Sequence, residues 1–252
     1  MKVSDSWRGL SLGAVVLAAG RGSRMESDLP KPLVELRGKA LLARVIEALR
    51  EGGVERIAVV LGHRGREIEE TLPDDVDVVY QAEGPGGTAT ALEAARGLAE
   101  GCERLLVTMA DAGLLRGEEV RLLVEGAGTR EITLLSAHFP LDLPYGRLVR
   151  GESGAIQRSV ERRHATPREL LIREYNASHY LFQIDDLWEL VARIEVNPVS
   201  GERYLTELVE MISSRGGEVE ALHCDDWRTL VGINDMEGLR WAERILEERN
   251  WG

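Results

Sequence analysis

The chain has 252 residues, 44% of them hydrophobic and 29% charged, with a formal net charge of −12. That length supports one large α/β domain, or one domain with a small added lobe. The acid excess argues against nucleic acid as a partner, and no apolar run approaches the roughly eighteen residues of a membrane span.

Strand-like and helix-like segments alternate along the first half. Ala14–Leu17 reads as a buried strand, followed by a helix over 41–50, a strand over 57–61 and a helix over 64–72. A strand at 76–80, a helix near 90–98 and a strand at 105–109 continue the series. Strands separated by helices of this length imply βαβ units and a mostly parallel, Rossmann-like sheet flanked by helices, with ligands beyond the carboxyl ends of the strands. After about residue 130 the pattern changes. Short strand candidates at 132–137, 147–149, 155–159 and 176–182 suggest a small antiparallel lobe, and helices return at 185–194, 202–214 and 235–249. A single domain is expected over 1–252, with a first half at about 12–130, a second half at about 131–235 and a C-terminal helix at 236–252. The start, MKVSDSWRGLS, lacks an apolar signal core and reads as a polar tail. Cys102 and Cys224 form no ligand cluster, which makes the reduced cytoplasm the expected setting.

The densest motif is LAAGRGSRMESDLPKPL, residues 17–33. Gly20 and Gly22 allow a sharp turn that brings backbone N–H groups to an anion. Arg21, Arg24 and Lys31 add three cations, a local positive island suited to a triphosphate. The spacing fits neither a P-loop nor a dinucleotide fingerprint. The chain has three lysines against 28 arginines, so a lysine kept at position 31 hints at a compact point charge. Gln81, in QAEGPGGTATAL, offers an amide suited to the edge of uracil or thymine, and Gly86 and Gly87 let backbone approach a base. Thr88 or Thr90 equally suits a helix N-cap. Asp111 follows the apolar run 105–109, where a hard carboxylate oxygen suits magnesium, whereas Asn234 or Asp235 in TLVGIND could simply cap the helix beyond. The five histidines are scattered singly, and no Cys-x-x-Cys, His-Glu-x-x-His or nucleophile elbow occurs.

LAAGRGSRM followed by SDLPKPL resembles the signature of the sugar-1-phosphate nucleotidyltransferases. Within them it is most similar to the uridylyltransferase domain of bacterial N-acetylglucosamine-1-phosphate uridyltransferase. The resemblance runs in blocks to Asn234. It implies that Arg24 and Lys31 are catalytic and that Leu17, Ala18, Ala19, Gly20, Gln81, Gly87 and Thr88 bind the nucleotide, with one extra residue near Pro85. It also implies Mg2+ on Asp111 and Asn234. YGRLVR, SVERR and YNASHYLF supply Gly146, Glu161 and Asn176 as sugar ligands, and GERYLTELV resembles a stretch of the same branch. Departures stand at Pro32, at Ala110-Asp111-Ala112, at Arg162-Arg163 and at Asn176-Ala177-Ser178, where the family tends to have Asn-Thr-Gly. The resemblance therefore implies UTP and a sugar 1-phosphate as substrates, most closely N-acetylglucosamine 1-phosphate, with UDP-sugar and pyrophosphate as products. Transfer from dTTP or CTP to another phosphate, such as glucose 1-phosphate, is the second enzymatic reading. A weakly active nucleotide-sugar binding or regulatory protein is the reading from another class. Nothing after Trp251 could form a hexapeptide-repeat acetyltransferase, so one activity is expected.

Overall fold

The run Gly-Ala-Val-Val-Leu-Ala is buried on both faces and forms the central strand of a large sheet, β1 (Gly13–Ala18). A computed structural model describes residues 7, 9–22, 24, 25, 27–82, 84, 86–140, 142–183 and 185–249. Residues 1–6 and 8 of the polar tail expected over 1–11, Pro85 and Trp251 lie outside the described residues. Parallel to β1 run β4 (Arg56–Leu61) on one side and β6 (Leu105–Met109) on the other, and β5 (Val76–Tyr80) pairs with β4. These strands match the sequence expectation to within a residue. A two-stranded ribbon, β2 (Glu35–Leu36) and β3 (Lys39–Ala40), precedes α1 (Leu41–Glu51).

Beyond β6 the sheet continues, and the antiparallel strands expected as a lobe added to it join it directly. β10 (Glu174–Phe182) runs antiparallel to both β6 and β7 (Ile132–His138), and β11 (Val219–His223) adds to β7 in parallel. Only β8 (Gly146–Arg150) and β9 (Ile156–Val160) leave this path, as an antiparallel hairpin that pairs with the start of β10. Among the described residues nine strands share this sheet, in the order β11-β7-β10-β6-β1-β4-β5 with the hairpin to the side. The antiparallel character foreseen after residue 130 is thus partly inside the main sheet.

Each face of the sheet has its own core because the strands alternate. Ala14, Val16 and Leu106 face Leu42, Val45, Ile46 and Leu49 of α1 and Val120 and Leu123 of α5 (Gly117–Gly126). Val15, Leu17 and Val107 face Leu92 of α3 (Thr88–Ala94), Leu190 and Val191 of α6 (Leu187–Arg193) and Leu208 and Ile212 of α7 (Glu207–Ser214). Trp7 also belongs to this second core. It is 2% exposed and donates from Nε1 to Asp77 at 2.9 Å, so the polar tail expected there ends in a buried anchor.

The expected helix over 202–214 begins only at Glu207. The backbone ahead of it is committed elsewhere: Arg203 N–H donates to Gly86 C=O at 3.0 Å, and Ala89 N–H donates to Arg203 C=O at 3.0 Å. Those bonds compete with the first helical turn and win, because they satisfy groups that burial would otherwise strand.

A third, smaller apolar cluster joins Met25, Leu36, Leu41, Leu114 and Ile233 to Leu239, Ala242, Ile245 and Leu246 of α8 (Met236–Arg249). Leu246 is 4% exposed in this cluster. Leu246→Ala should lower stability by about 2–5 kcal/mol, read as a fall in the urea midpoint, if α8 is part of the cooperative fold. An unchanged midpoint would show that the helix is peripheral.

Candidate active site

The parallel strands deliver their site residues to one edge. Leu17 and Met109 are in register across β1 and β6, as are Ala18 and Leu61, and Leu61 and Tyr80, on the other side. The turn from Ala19 to Lys31, Gln81 and Asp111 all leave the sheet at these carboxyl ends. β1 lies where the strand order reverses, with β4 on one side and β6 on the other, which is the crevice that open α/β sheets use for ligands.

Lys31 stands in a single 3-10 turn opened by Pro30 and Pro32. Its side chain is held in place by Gly22, which has φ +58°, and a Cβ there would come within 2.6 Å of Lys31 Cβ. The ammonium donates to Asp111 Oδ2 at 2.5 Å and to Asn234 Oδ1 at 2.9 Å. Arg24 reaches the same Asn234 oxygen at 3.4 Å. Residues from positions 24, 31, 111 and 234 thus meet at one point.

The backbone fixes that meeting. Ile233 N–H donates to Asp111 C=O at 2.9 Å, and Asn234 turns its amide N–H onto Gly232 C=O at 3.1 Å, which leaves its oxygen toward Lys31. Tyr145 Oη accepts Gly232 N–H at 2.6 Å. Desolvation, with the Asp111 carboxylate nearby as the smaller cause, pushes the Tyr145 phenol well above its ordinary range. Asp111 and Asn234 are hard oxygen donors converging on one cation, which here is the lysine ammonium. Such a donor set fits magnesium, which takes few protein ligands and completes its shell with phosphate and water.

A cleft of about 670 Å³ starts at Arg24, Asp111 and Asn234 and extends to Glu161 and Ser178, with Met109, Tyr145 and His179 on its wall. Gly146 opens β8 directly opposite Asn176 of β10, and Glu161 follows the partner strand β9. Burial raises the Glu161 carboxyl above its ordinary value, and a hydrogen bond from Thr206 Oγ1 at 3.2 Å opposes that rise. Asn176 and Gly146 are both brought to this neighbourhood, beside the lining residues Tyr145 and Ala177. The Asn176 amide donates to Ser159 Oγ at 3.1 Å and Tyr180 Oη at 2.9 Å, and its oxygen accepts Ser178 N–H at 2.9 Å. Ser178 itself has φ +62°, a conformation that favours glycine, so this chain keeps a glycine-like turn without the glycine.

The proposed base-reading loop lies apart from that cleft, beyond β5. Gln81 is half-buried, and its N–H donates to Leu61 C=O at 2.8 Å. Gly87 has φ +107°, and a Cβ there would run into the backbone of Arg203. Thr88 does not cap α3. Its hydroxyl accepts Leu205 N–H at 2.9 Å, so the GERYLT stretch is docked onto this loop.

The residues that the sequence did not single out are His179 and Thr108. His179 is 2% exposed and its Nδ1 shares a 2.7 Å hydrogen bond with Thr108 Oγ1. Their only sequence signal was one isolated histidine in a strand, and the burial that defines the pair comes from β6 lying beside β10.

Residues 14–173 match the MobA-like NTP transferase domain. The chain belongs to that family. Within it, the chain is similar to the bifunctional protein GlmU of Exiguobacterium sibiricum, at 33% identity over 240 residues, 94% of this chain and 53% of that protein. The GlmU proteins of Clostridium novyi (34% over 239 residues, 94% and 52%) and Aquifex aeolicus (35% over 246 residues, 93% and 53%) are matched in the same way. The chain spans about half the length of these curated relatives. A MobA-like NTP transferase domain, homologous to GlmU, is a nucleotidyltransferase fold. Among the described residues no helix is long and apolar enough to cross a membrane.

Burial holds the His179 imidazole down at about 4, against an ordinary 6.5, with Asp111 opposing more weakly. The histidine is neutral in the native state at neutral pH, whereas the unfolded chain takes up its proton below 6.5. Stability is therefore lost as pH falls from about 6.5 toward 4, by roughly 3 kcal/mol at most. The denaturation free energy of His179→Gln should fall less steeply over that window than that of the natural chain, and parallel slopes would remove His179 as the cause.

Proposed function

We propose that this protein joins UTP to a sugar 1-phosphate, most closely N-acetylglucosamine 1-phosphate, giving UDP-sugar and pyrophosphate. The observation that carries this reading is the Lys31 ammonium shared by Asp111 and Asn234 at the head of a cleft that ends at Glu161. One end suits a polyphosphate and the other a sugar. In this reading residues of about 12–130 hold the nucleotide, residues of about 131–235 hold the sugar, and α8 braces the join. The reduced cytoplasm is the proposed setting, with Cys102 and Cys224 as packing thiols.

A phosphate oxygen of the sugar 1-phosphate attacks the α-phosphorus of the nucleotide in line. The new P–O bond forms as the bond to the bridging oxygen breaks, and pyrophosphate leaves with that electron pair. The nucleophile is already an anion, so no side chain has to remove a proton. The protein's work is positioning and charge neutralisation. Arg24 and Lys31 hold the phosphates, and the backbone from Leu17 to Gly20 shapes their entry. Asp111 and Asn234 would hold Mg2+, which supplies further neutralisation of the phosphate charge when bound. Gln81, Gly87 and Thr88 form the side that reads the base. Gly146 and Glu161 face the sugar, and Asn176 shapes the Ser178 turn beside them.

The direct test is a pyrophosphate-release screen of UTP, dTTP, CTP and GTP against a panel of sugar 1-phosphates. UTP with N-acetylglucosamine 1-phosphate should be fastest. A preference for dTTP or CTP would reassign the nucleotide, and no release with any pair would leave a binding protein. Within the screen, Lys31→Ala should lower kcat for every sugar phosphate alike, because transition-state charge builds on the transferring phosphoryl group.

Base reading has its own test. Gln81→Ala should raise KM for UTP and erode discrimination against CTP, at a cost of roughly 1–3 kcal/mol in kcat/KM. Unchanged selectivity would place base recognition elsewhere.

A further inference from the structure

We propose that His179 binds the phosphate of the sugar 1-phosphate, donating a hydrogen bond from Nε2. The inference rests on the reading above that a sugar 1-phosphate enters this cleft. It adds a contact to the YNASHYLF stretch, from which the resemblance takes Asn176 alone.

The argument begins with an unbalanced polar atom. His179 is 2% exposed, its Nδ1 is engaged with Thr108 Oγ1 at 2.7 Å, and its Nε2 is buried without a hydrogen-bond partner among the described residues. A buried imidazole nitrogen with no partner costs the full desolvation of that group, and native structures rarely leave one so unless something else meets it. His179 also belongs to the cleft wall with Nε2 itself covered, so a ligand there supplies the missing partner where the wall yields enough to uncover that nitrogen.

The strand register says which part of the ligand. Tyr180 pairs with Val107 across β10 and β6, which sets His179 beside Thr108, three residues before Asp111. The histidine thus lies on the wall toward the Asp111 end of the cleft, nearer the phosphate-holding group than the Glu161 end. The Asp111 carboxylate is close enough to influence the imidazole.

The chemistry follows from tautomer choice. Donation to a phosphate needs the tautomer in which the Thr108 hydroxyl donates to Nδ1, so that the neutral ring carries its proton on Nε2. That leaves a fixed, uncharged N–H donor for a phosphate oxygen. A neutral donor adds direction without adding charge, while Arg24 and Lys31 already supply the cations. The register of β10 against β7 shifts between Asn176 and Tyr180, so the strand bulges in the segment that carries His179.

Two substitutions separate the contact from mere packing. Asparagine can keep the Nδ1-side bond to Thr108 but has no atom at the Nε2 position, whereas glutamine places an amide N–H close to Nε2. His179→Asn should lower kcat/KM for the sugar phosphate by about tenfold, the size of one lost hydrogen bond, with KM for UTP changed less than about twofold. His179→Gln should recover most of that loss. The loss should be equal for N-acetylglucosamine 1-phosphate and glucose 1-phosphate, since both carry the phosphate. A loss confined to one sugar would mean a hydroxyl or acetamido contact and would overturn the phosphate assignment. Unchanged kinetics in a folded His179→Asn would overturn the contact altogether. A natural chain that releases no pyrophosphate with any sugar 1-phosphate would overturn the functional reading, and this inference with it. If His179→Asn fails to fold, nitrogen NMR of the natural chain decides. N-acetylglucosamine 1-phosphate should shift the His179 Nε2 resonance where UTP alone does not, and no shift at saturation would refute the contact.

Discussion

Three segments far apart in sequence are clamped together by one small apolar cluster. Met25 stands next to Arg24, Leu114 lies three residues past Asp111, and Ile233 stands next to Asn234. All three are buried against Leu239, Ala242, Ile245 and Leu246 of α8. Charge alone could not hold this arrangement. A lysine, an arginine, an aspartate and an asparagine with partial access to water would find many other pairings of similar energy. The greasy side chains beside them remove that freedom, because moving any one polar group would drag a buried neighbour into water. The backbone bond from Ile233 to Asp111 then fixes the register of the two oxygen-bearing loops.

The cleft therefore inherits its two ends from different physics. Its phosphate end is set by loops leaving parallel strands, with positions dictated by a sheet buried on both faces. Its sugar end is set by a hairpin, β8–β9, and by the bulged start of β10. Several polar groups there are paired internally: Asn176 with Ser159, Tyr180 and the Ser178 backbone, and Glu161 with Thr206. The first end is set by the sheet and the second by a side-chain network, so substitutions at Asn176-Ala177-Ser178 can alter the pocket wall without touching the phosphate apparatus.

The parallel half of the fold was legible because each strand is a short apolar run between helical patterns. β1, β5 and β6 stand out on composition alone. β11 did not, since Val-Glu-Ala-Leu-His is an edge strand that is only partly buried and carries no apolar stripe. α5 was missed for a related reason: glycines at both ends, Gly117 and Gly126, and acids in its first turn look like a loop. The site shows the same division. Lys31 and Asp111 could be picked out by residue type and by what precedes them. Thr88 was read as a possible cap or base contact, but its hydroxyl is taken by Leu205, a partner 117 residues away that no local pattern announces. The His179–Thr108 pair, 71 residues apart, was invisible for the same reason.

The meeting of Gly87 with Arg203 also constrains how this sequence can drift. The atoms crowding position 87 belong to the main chain at 203, so they are the same whichever amino acid stands there. Exchange at 203 cannot make room for a side chain at 87. Compensation would demand a rerouted chain between Glu202 and Leu205, with loss of the paired bonds that seat it. The arginine side chain has bonds of its own, to Glu93 and to the Ile194 and Val191 carbonyls, and they are separate from this constraint. The glycine is tied to the path of the backbone itself.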